Sequence, residues 1–301
     1  MMLGNAMEKT LKYLLIVMII ILSVIISIYN VLRTKIDFLN NNNKKLRHPQ
    51  DIFAPHKTFI EAHCGMNKEI FQNTIESFSK AIEYGIESLE TDVWLSKDNV
   101  LVFIHGSRIG NISKYYNHNG NIKELNWDEL STLRTIKDNL TMPRLIDLMK
   151  LAKNKIYIDL EIKDPRVDLV FPKITKLIEE YDFFDQISIC SFYHGYYEKI
   201  EEYNRKNNKN LLFGFGYKVN ETNLIDYTKK GNTINIHWSV ATKDVCDKAH
   251  ENGMGVMAWF RLDEDENLEN YKSLINNGVD VICANYPLIA KNYRDSLKYN
   301  F

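Results

Sequence analysis

Residues 86–93 read Ile86-Glu87-Ser88-Leu89-Glu90-Thr91-Asp92-Val93, and residues 156–163 read Ile156-Tyr157-Ile158-Asp159-Leu160-Glu161-Ile162-Lys163. Both are short runs in which aliphatic side chains alternate with polar ones, the period of a strand. On such a strand Glu90 and Asp92, two positions apart, aim at the same side. Glu161 holds the equivalent place near the end of the second run. Outward from these two segments, runs at 58–62, 88–93, 156–162, 187–191, 211–214, 233–236, 255–259 and 281–284 predict eight strands. Stretches of helical period at 74–84, 144–152, 167–181, 193–204, 221–230, 243–252 and 266–276 fall between most of them. This alternation is the pattern of βα units on a parallel sheet, and eight strands is the number of a (β/α)8 TIM barrel in the α/β class. The exception is 95–125, where 101–104 reads as an extra strand followed by Gly- and Asn-rich loops, a short insertion after the second strand. An open, doubly wound sheet is the alternative arrangement of the same units.

The 301 residues suit one barrel plus an extension. A net charge of −1 carries no excess of positive charge for a polyanion, which argues against nucleic acid as a partner. Cys64, Cys190, Cys246 and Cys283 stand singly with no CxxC pair, so they read as free thiols rather than a zinc knuckle or a disulfide framework. Three N-x-S/T triplets, at Asn111, Asn139 and Asn220, occur in an Asn-rich chain and do not establish secretion. Before the barrel, residues 13–29 (YLLIVMIIILSVIISIY) carry no charge and are apolar on every helical face. That length is at the short end of a membrane span, and no small-x-small cleavage site follows it. The expected layout is therefore an N-terminal transmembrane helix with short flanks (1–35), a polar linker (36–57) and the barrel domain (58–301). Lys9 and Lys12 precede the apolar run, whereas Arg33, Lys35, Lys44, Lys45 and Arg47 follow it. The positive-inside rule then predicts a single-pass membrane protein with its catalytic domain in the cytoplasm.

Three carboxylates converging on one barrel mouth repel one another unless a cation lies among them. Hard oxygen ligands suit Mg²⁺ or Ca²⁺ rather than zinc. The bland reading of each acid is a helix cap or a pair with Lys163. Two histidines accompany them, His63 after the first strand and His105 after 101–104. Histidine is the side chain best matched to general base and general acid work near neutral pH.

At this point the chain resembles the glycerophosphodiester phosphodiesterase family over nearly the whole of 59–287. The residues that carry the resemblance are Ala62-His63-Cys64-Gly65, Gln72-Asn73-Thr74, Glu90-Thr91-Asp92-Val93, His105-Gly106 and Glu161-Ile162-Lys163. Later come Ser191-Phe192, Trp259, Gly278-Val279-Asp280 and Asn285-Tyr286-Pro287. The resemblance implies a barrel hydrolase with a divalent metal held by Glu90, Asp92 and Glu161, and with His63 and His105 as the acid–base pair. It further implies Lys163 near the phosphate and Phe192 and Trp259 as an apolar wall for the alcohol part. The substrate it implies is a small glycerophosphodiester or a lysolipid.

Three positions depart from the family pattern. Cys64 stands where an arginine that clamps the phosphate is usual, Gln72 replaces a carboxylate, and Gly106 replaces an aspartate. By strand alternation Arg261 faces the same side as Trp259 and can replace the missing charge, or else it is a solvated side chain paired with Asp263 or Glu264. These departures keep open a catalytically impaired barrel that only binds. A phosphatidylinositol- or sphingomyelin-cleaving relative, which shares the barrel and the paired histidines, is the second enzyme reading, and Glu161-Ile162-Lys163 and Trp259 favour the glycerophosphodiester one.

Overall fold

The computed structural model describes residues 18, 58–105, 110–218, 233–261 and 263–297. The expected anchor at 13–29, the helix expected at 221–230 and Gly106 lie outside them, apart from the single position Met18. Among the described residues no helix is long and apolar enough to cross a membrane.

Among the described residues nine strands form: β1 (Phe59–His63), β2 (Ser88–Leu95), β3 (Leu101–Phe103), β4 (Tyr157–Ile162), β5 (Ile187–Ser191), β6 (Phe213–Gly216), β7 (Thr233–His237), β8 (Gly255–Trp259) and β9 (Val281–Ala284). Eight of them run parallel in the order β1-β9-β8-β7-β6-β5-β4-β2, and β1 pairs with β2 to close the ring. The closed barrel, not the open sheet, is therefore the arrangement. The predicted strand at 211–214 lies two residues further on, because Phe213 is the residue in register with Ile189 of β5.

Helices pack outside: α1 (Ile75–Glu83), a short α2 (Trp127–Leu130), α3 (Leu145–Ala152), α4 (Val167–Glu180), α5 (Gly195–Asn207), α6 (Lys243–Glu251), α7 (Leu268–Asn277) and α8 (Pro287–Ser296). The last was not anticipated. Its proline sits at the first turn, where the missing N–H costs nothing. The outward strand residues Ile60, Leu89, Val93, Ile158, Leu160 and Ile282 form the main core with the helices.

Inside the ring the alternation produces layers. Phe59, Tyr157, Met257 and Val281 make an apolar patch. Glu61 and Asp159 come next along β1 and β4, where Ser88 donates to Glu61 at 2.6 Å and Ser188 to Asp159 at 2.8 Å. Two residues further along the same strands lie His63 and Glu161, level with the barrel mouth. Each of the Glu61 and Asp159 carboxylates, both buried, has a serine hydroxyl to accept from, as burial demands.

The insertion is a small lobe with a core of its own. Strand β3 runs antiparallel on β2, and Trp94, Ile112, Tyr116, Ile122 and Leu130 pack together beyond it. Gly110, at φ +69°, lies so close to Trp94 that a Cβ there would come within 3.1 Å of the indole. A side chain at that position would need both a left-handed backbone and a displaced tryptophan.

Candidate active site

His63 ends β1, and its Nδ1 lies 2.8 Å from Asn285 Oδ1 just beyond β9. The same oxygen accepts from Asn67 Nδ2 at 2.8 Å, which orients the amide with its carbonyl toward the ring. His63 thus donates from Nδ1, and its Nε2 lies 3.7 Å from Glu90 Oε2. The Asn285 loop is itself tied down: Glu266 accepts from the backbone N–H of Asn285 at 2.9 Å and of Tyr286 at 2.7 Å.

His105 arrives from the insertion, two residues past β3. Its ring stands edge-on to His63 with centroids 5.2 Å apart, and its Nδ1 is 3.5 Å from the Tyr115 hydroxyl. Asp92 raises the proton affinity of His105, but burial and the neighbouring His63, Lys163 and Lys114 outweigh it. The imidazole is pushed down to about 4.

Glu90 and Asp92 project from β2 as the period of two requires, and both are buried. Asn73, held at φ 56° by its place in the turn before α1, donates to Asp92 Oδ2 at 3.0 Å and accepts from Thr91 at 2.7 Å. Lys163 Nζ bridges Asp92 Oδ1 at 3.0 Å and Glu161 Oε1 at 2.5 Å. The pair with Lys163 expected as the bland alternative therefore exists, and it takes two of the three acids. Burial raises Asp92, yet Lys163, His105, His63 and Asn73 hold it well below the ordinary carboxylate range. Glu90 goes the other way, raised by burial and by the charges of Asp92 and Glu161. Glu161 is pushed up to about 7 by burial against the pull of Lys163.

Cys64 is fully buried at φ 53°, in the turn that follows His63. Its backbone N–H donates to Glu90, and its Sγ lies 3.1 Å from Asp92 Oδ2 and 3.7 Å from Glu90 Oε2. Gly65 follows at φ +82°, where a Cβ would come within 2.4 Å of Ser77 Oγ, so only glycine fits this turn. Gln72 lies beside the Tyr115 hydroxyl.

Glu90 Oε1 is buried without a hydrogen-bond partner. An orphaned carboxylate oxygen among acids that share one lysine fits a divalent cation, which would complete its coordination and offset the excess charge. Among the described residues, two donor sets have ligand atoms all within 4.8 Å of one another: Cys64 with Glu90 and Asp92, and Cys64 with His63 and His105. The expected third acid, Glu161, belongs to neither.

A cavity of about 620 Å³ opens over these groups, walled by Phe192, Trp259 and Phe260, with Lys218 and Arg261 also lining it. Phe192 and Trp259 meet edge-on with centroids 6.3 Å apart, and Lys163 Nζ lies 5.5 Å over the Phe192 ring. Among the described residues Arg261 pairs with neither Asp263 nor Glu264, and Asp263 instead holds Lys68 at 2.6 Å.

Residues 63–289 match the model of the glycerophosphoryl diester phosphodiesterase family. The chain belongs to this family. A glycerophosphodiester phosphodiesterase of Caldanaerobacter subterraneus is 27% identical over 244 residues, which span 77% of this chain and 95% of that protein. One of Bacillus altitudinis is 25% identical over 251 residues, 80% of this chain and all of that protein. An Oleispira antarctica phosphodiesterase, solved in complex with the product sn-glycerol-3-phosphate, superposes with a TM-score of 0.65 at 18% identity, covering 79% of this chain and 97% of that one. At that identity the likeness speaks for the fold alone.

Within the family match, the structure gathers His63, His105, Glu90, Asp92, Glu161 and Lys163 at one mouth, with Phe192, Trp259 and Arg261 on the cavity wall. Sequence reasoning assigned no role to Asn285, Asn73, Glu266 or Tyr115. Asn73 and Asn285 stood in the quoted motifs, yet an asparagine carries no chemistry that announces itself. Their roles depend on partners far away in the chain.

Proposed function

We propose that the chain hydrolyses glycerophosphodiesters, releasing glycerol 3-phosphate or a related phosphate and an alcohol. The observation that carries this reading is the histidine pair set beside buried carboxylates at the mouth of a cavity, in a member of this family. His63 Nε2 takes the proton from the attacking hydroxyl, because Nδ1 is already engaged with Asn285. His105 starts neutral. An anionic diester beside it raises its proton affinity, the state in which it protonates the leaving oxygen. Lys163 neutralises part of the acidic cluster and adds positive charge near the phosphate, and Phe192 and Trp259 receive the alcohol part.

Glu90, Asp92 and Glu161 would hold a divalent cation, Mg²⁺ or Ca²⁺ by their oxygen chemistry. Such an ion supplies Lewis-acid polarisation of the phosphate when bound. Arg261 restores the positive charge that the family pattern has at position 64. Its replacement in Arg261→Ala raises KM for the diester about tenfold or more, consistent with loss of a charge-assisted contact. An unchanged KM sinks that role.

The apolar wall also favours lysophospholipids as substrates. The apolar run at 13–29, outside the described residues, supports a single-pass anchor on a barrel domain of 58–301 facing the cytoplasm. Glycosylation mapping and carbonate extraction of membranes test both.

The decisive assay incubates the full chain with glycerophosphocholine and lysophosphatidylcholine, with Mg²⁺, Ca²⁺ or EDTA. Cleavage is expected with metal, suppressed by EDTA, and lowered by His63→Ala about 10²- to 10⁴-fold, the range for loss of a general base. A folded protein that cleaves neither substrate under any metal is a binding barrel, the reading motivated by Cys64, Gln72 and Gly106.

A further inference from the structure

Where the family pattern has an arginine, position 64 carries a sulfur, set beside Glu90 and Asp92. Both sets of clustered donor atoms contain Cys64, and they share it: Glu90 and Asp92 on one side, His63 and His105 on the other. Independently of the cysteine, Glu90 presents a buried oxygen with no partner, on a side chain only 3% exposed. Glu161, the acid expected to complete an all-oxygen set, is instead drawn to Lys163 at 2.5 Å.

We propose that Cys64 Sγ is itself a metal ligand, joining Glu90 and Asp92 in a mixed sulfur–oxygen centre that prefers thiophilic divalent ions such as Zn²⁺ or Co²⁺ over Mg²⁺ and Ca²⁺. This rests on the reading of the acidic cluster as a cation site, and it revises the expected preference for hard cations. A sulfur about 2.3 Å and an oxygen about 2.0–2.2 Å from a shared tetrahedral ion lie roughly 3.5–3.7 Å apart. The observed separations of Sγ from Asp92 Oδ2 and Glu90 Oε2 are 3.1 and 3.7 Å, the first short of that range and the second at its upper end. In the ion-free arrangement Sγ donates its hydrogen to Asp92. As the ion binds, that proton leaves to solvent and the sulfur lone pair it frees goes to the metal. Soft thiolate is a poor partner for Mg²⁺ and a good one for zinc, so a single substitution shifts the selectivity of an inherited acidic site.

The test uses the metal-free full chain titrated with Co²⁺. The expected result is one equivalent bound with a thiolate-to-cobalt charge-transfer band in the near ultraviolet, absent in Cys64→Ser although that variant still binds one equivalent. Zn²⁺ affinity is expected to fall at least about 10-fold in Cys64→Ser while Mg²⁺ affinity stays within about 3-fold. X-ray absorption on the zinc-loaded unaltered chain, which needs no variant, is expected to show one sulfur at about 2.3 Å. Cobalt binding without the band, a band that survives Cys64→Ser, or a zinc shell without sulfur overturns the proposal and leaves the oxygen-ligand reading standing. Failure to bind any divalent ion overturns both.

Discussion

The side chain of Asn285 is a positioning group whose effect is transmitted through His63. Its carbonyl decides which imidazole nitrogen keeps the proton, and with it which nitrogen faces the substrate. In Asn285→Ala the ring is free to present either tautomer and to turn. The expected result is a fall in kcat of about 10- to 100-fold with KM little changed, and partial recovery in Asn285→Gln is not expected because the longer side chain displaces the oxygen. A fall in KM-dependent binding with kcat intact contradicts this role. The same economy appears at Asn73, whose amide spans Thr91 and Asp92 and so fixes the acid that pairs with Lys163. At this scale the residue types were readable beforehand. Two histidines and three acids at strand ends marked the candidate site, whereas the asparagines that bond to His63 and Asp92 did not stand out.

At the scale of elements, α6 and β9 are joined by a titratable contact. His250, in the last turn of α6, lies 2.8 Å from Asp280 Oδ2, which also accepts from the Val256 N–H at 2.8 Å. The bond to Asp280 raises His250 above its ordinary value of 6.5, against the effect of burial. A group bound more tightly to its proton in the folded state stabilises fully below its unfolded pKa. That contribution is lost as pH rises through the raised folded value. His250→Gln should therefore lower stability in urea at about pH 5.5 and leave it nearly unchanged at about pH 9. The loss is modest, about 0.5 kcal/mol, since His250 is 39% exposed and solvent screens the pair. An equal loss at both pH values contradicts the assignment. The insertion shows the limit of local reading at this scale. Strand β3 was visible in its apolar run, but the lobe that brings His105 and Tyr115 to the mouth is assembled from scattered residues such as Trp94 and Ile112.

For the whole molecule, the closing seam between β1 and β2 is held from outside by α8. Arg294, only 5% exposed, pairs with Glu87, which precedes β2, and donates to Thr58 O at 2.9 Å ahead of β1. Glu87 in turn accepts from the Ile60 N–H at 3.0 Å. Removing the arginine takes a buried counter-charge away from the partly buried Glu87 carboxylate. Arg294→Ala is expected to cost about 3 kcal/mol in urea unfolding, with Cys64 and the active site becoming open to thiol reagents at lower denaturant than in the parent. A cost within about 0.5 kcal/mol, that of an ordinary surface change, contradicts a closing role. The seam also ties the site to the fold, because His63 ends the strand that the clasp secures.

What the sequence determined alone follows from covalent geometry. The period of two in 86–93 and 156–163 sets which side chains share a face, and eight such runs among helices set the α/β class, with the closed barrel and the open sheet both compatible until β1 pairs with β2. Residue type set the chemistry available. Tertiary structure decided what depends on residues far apart in the chain. Asn285 reaches His63 across 222 positions and Arg294 reaches Glu87 across 207. It also decided that Glu161 turns to Lys163 while Cys64 turns to Glu90 and Asp92. Alternation fixes a direction relative to the local strand, but the distance between side chains on different strands is set only when the ring closes.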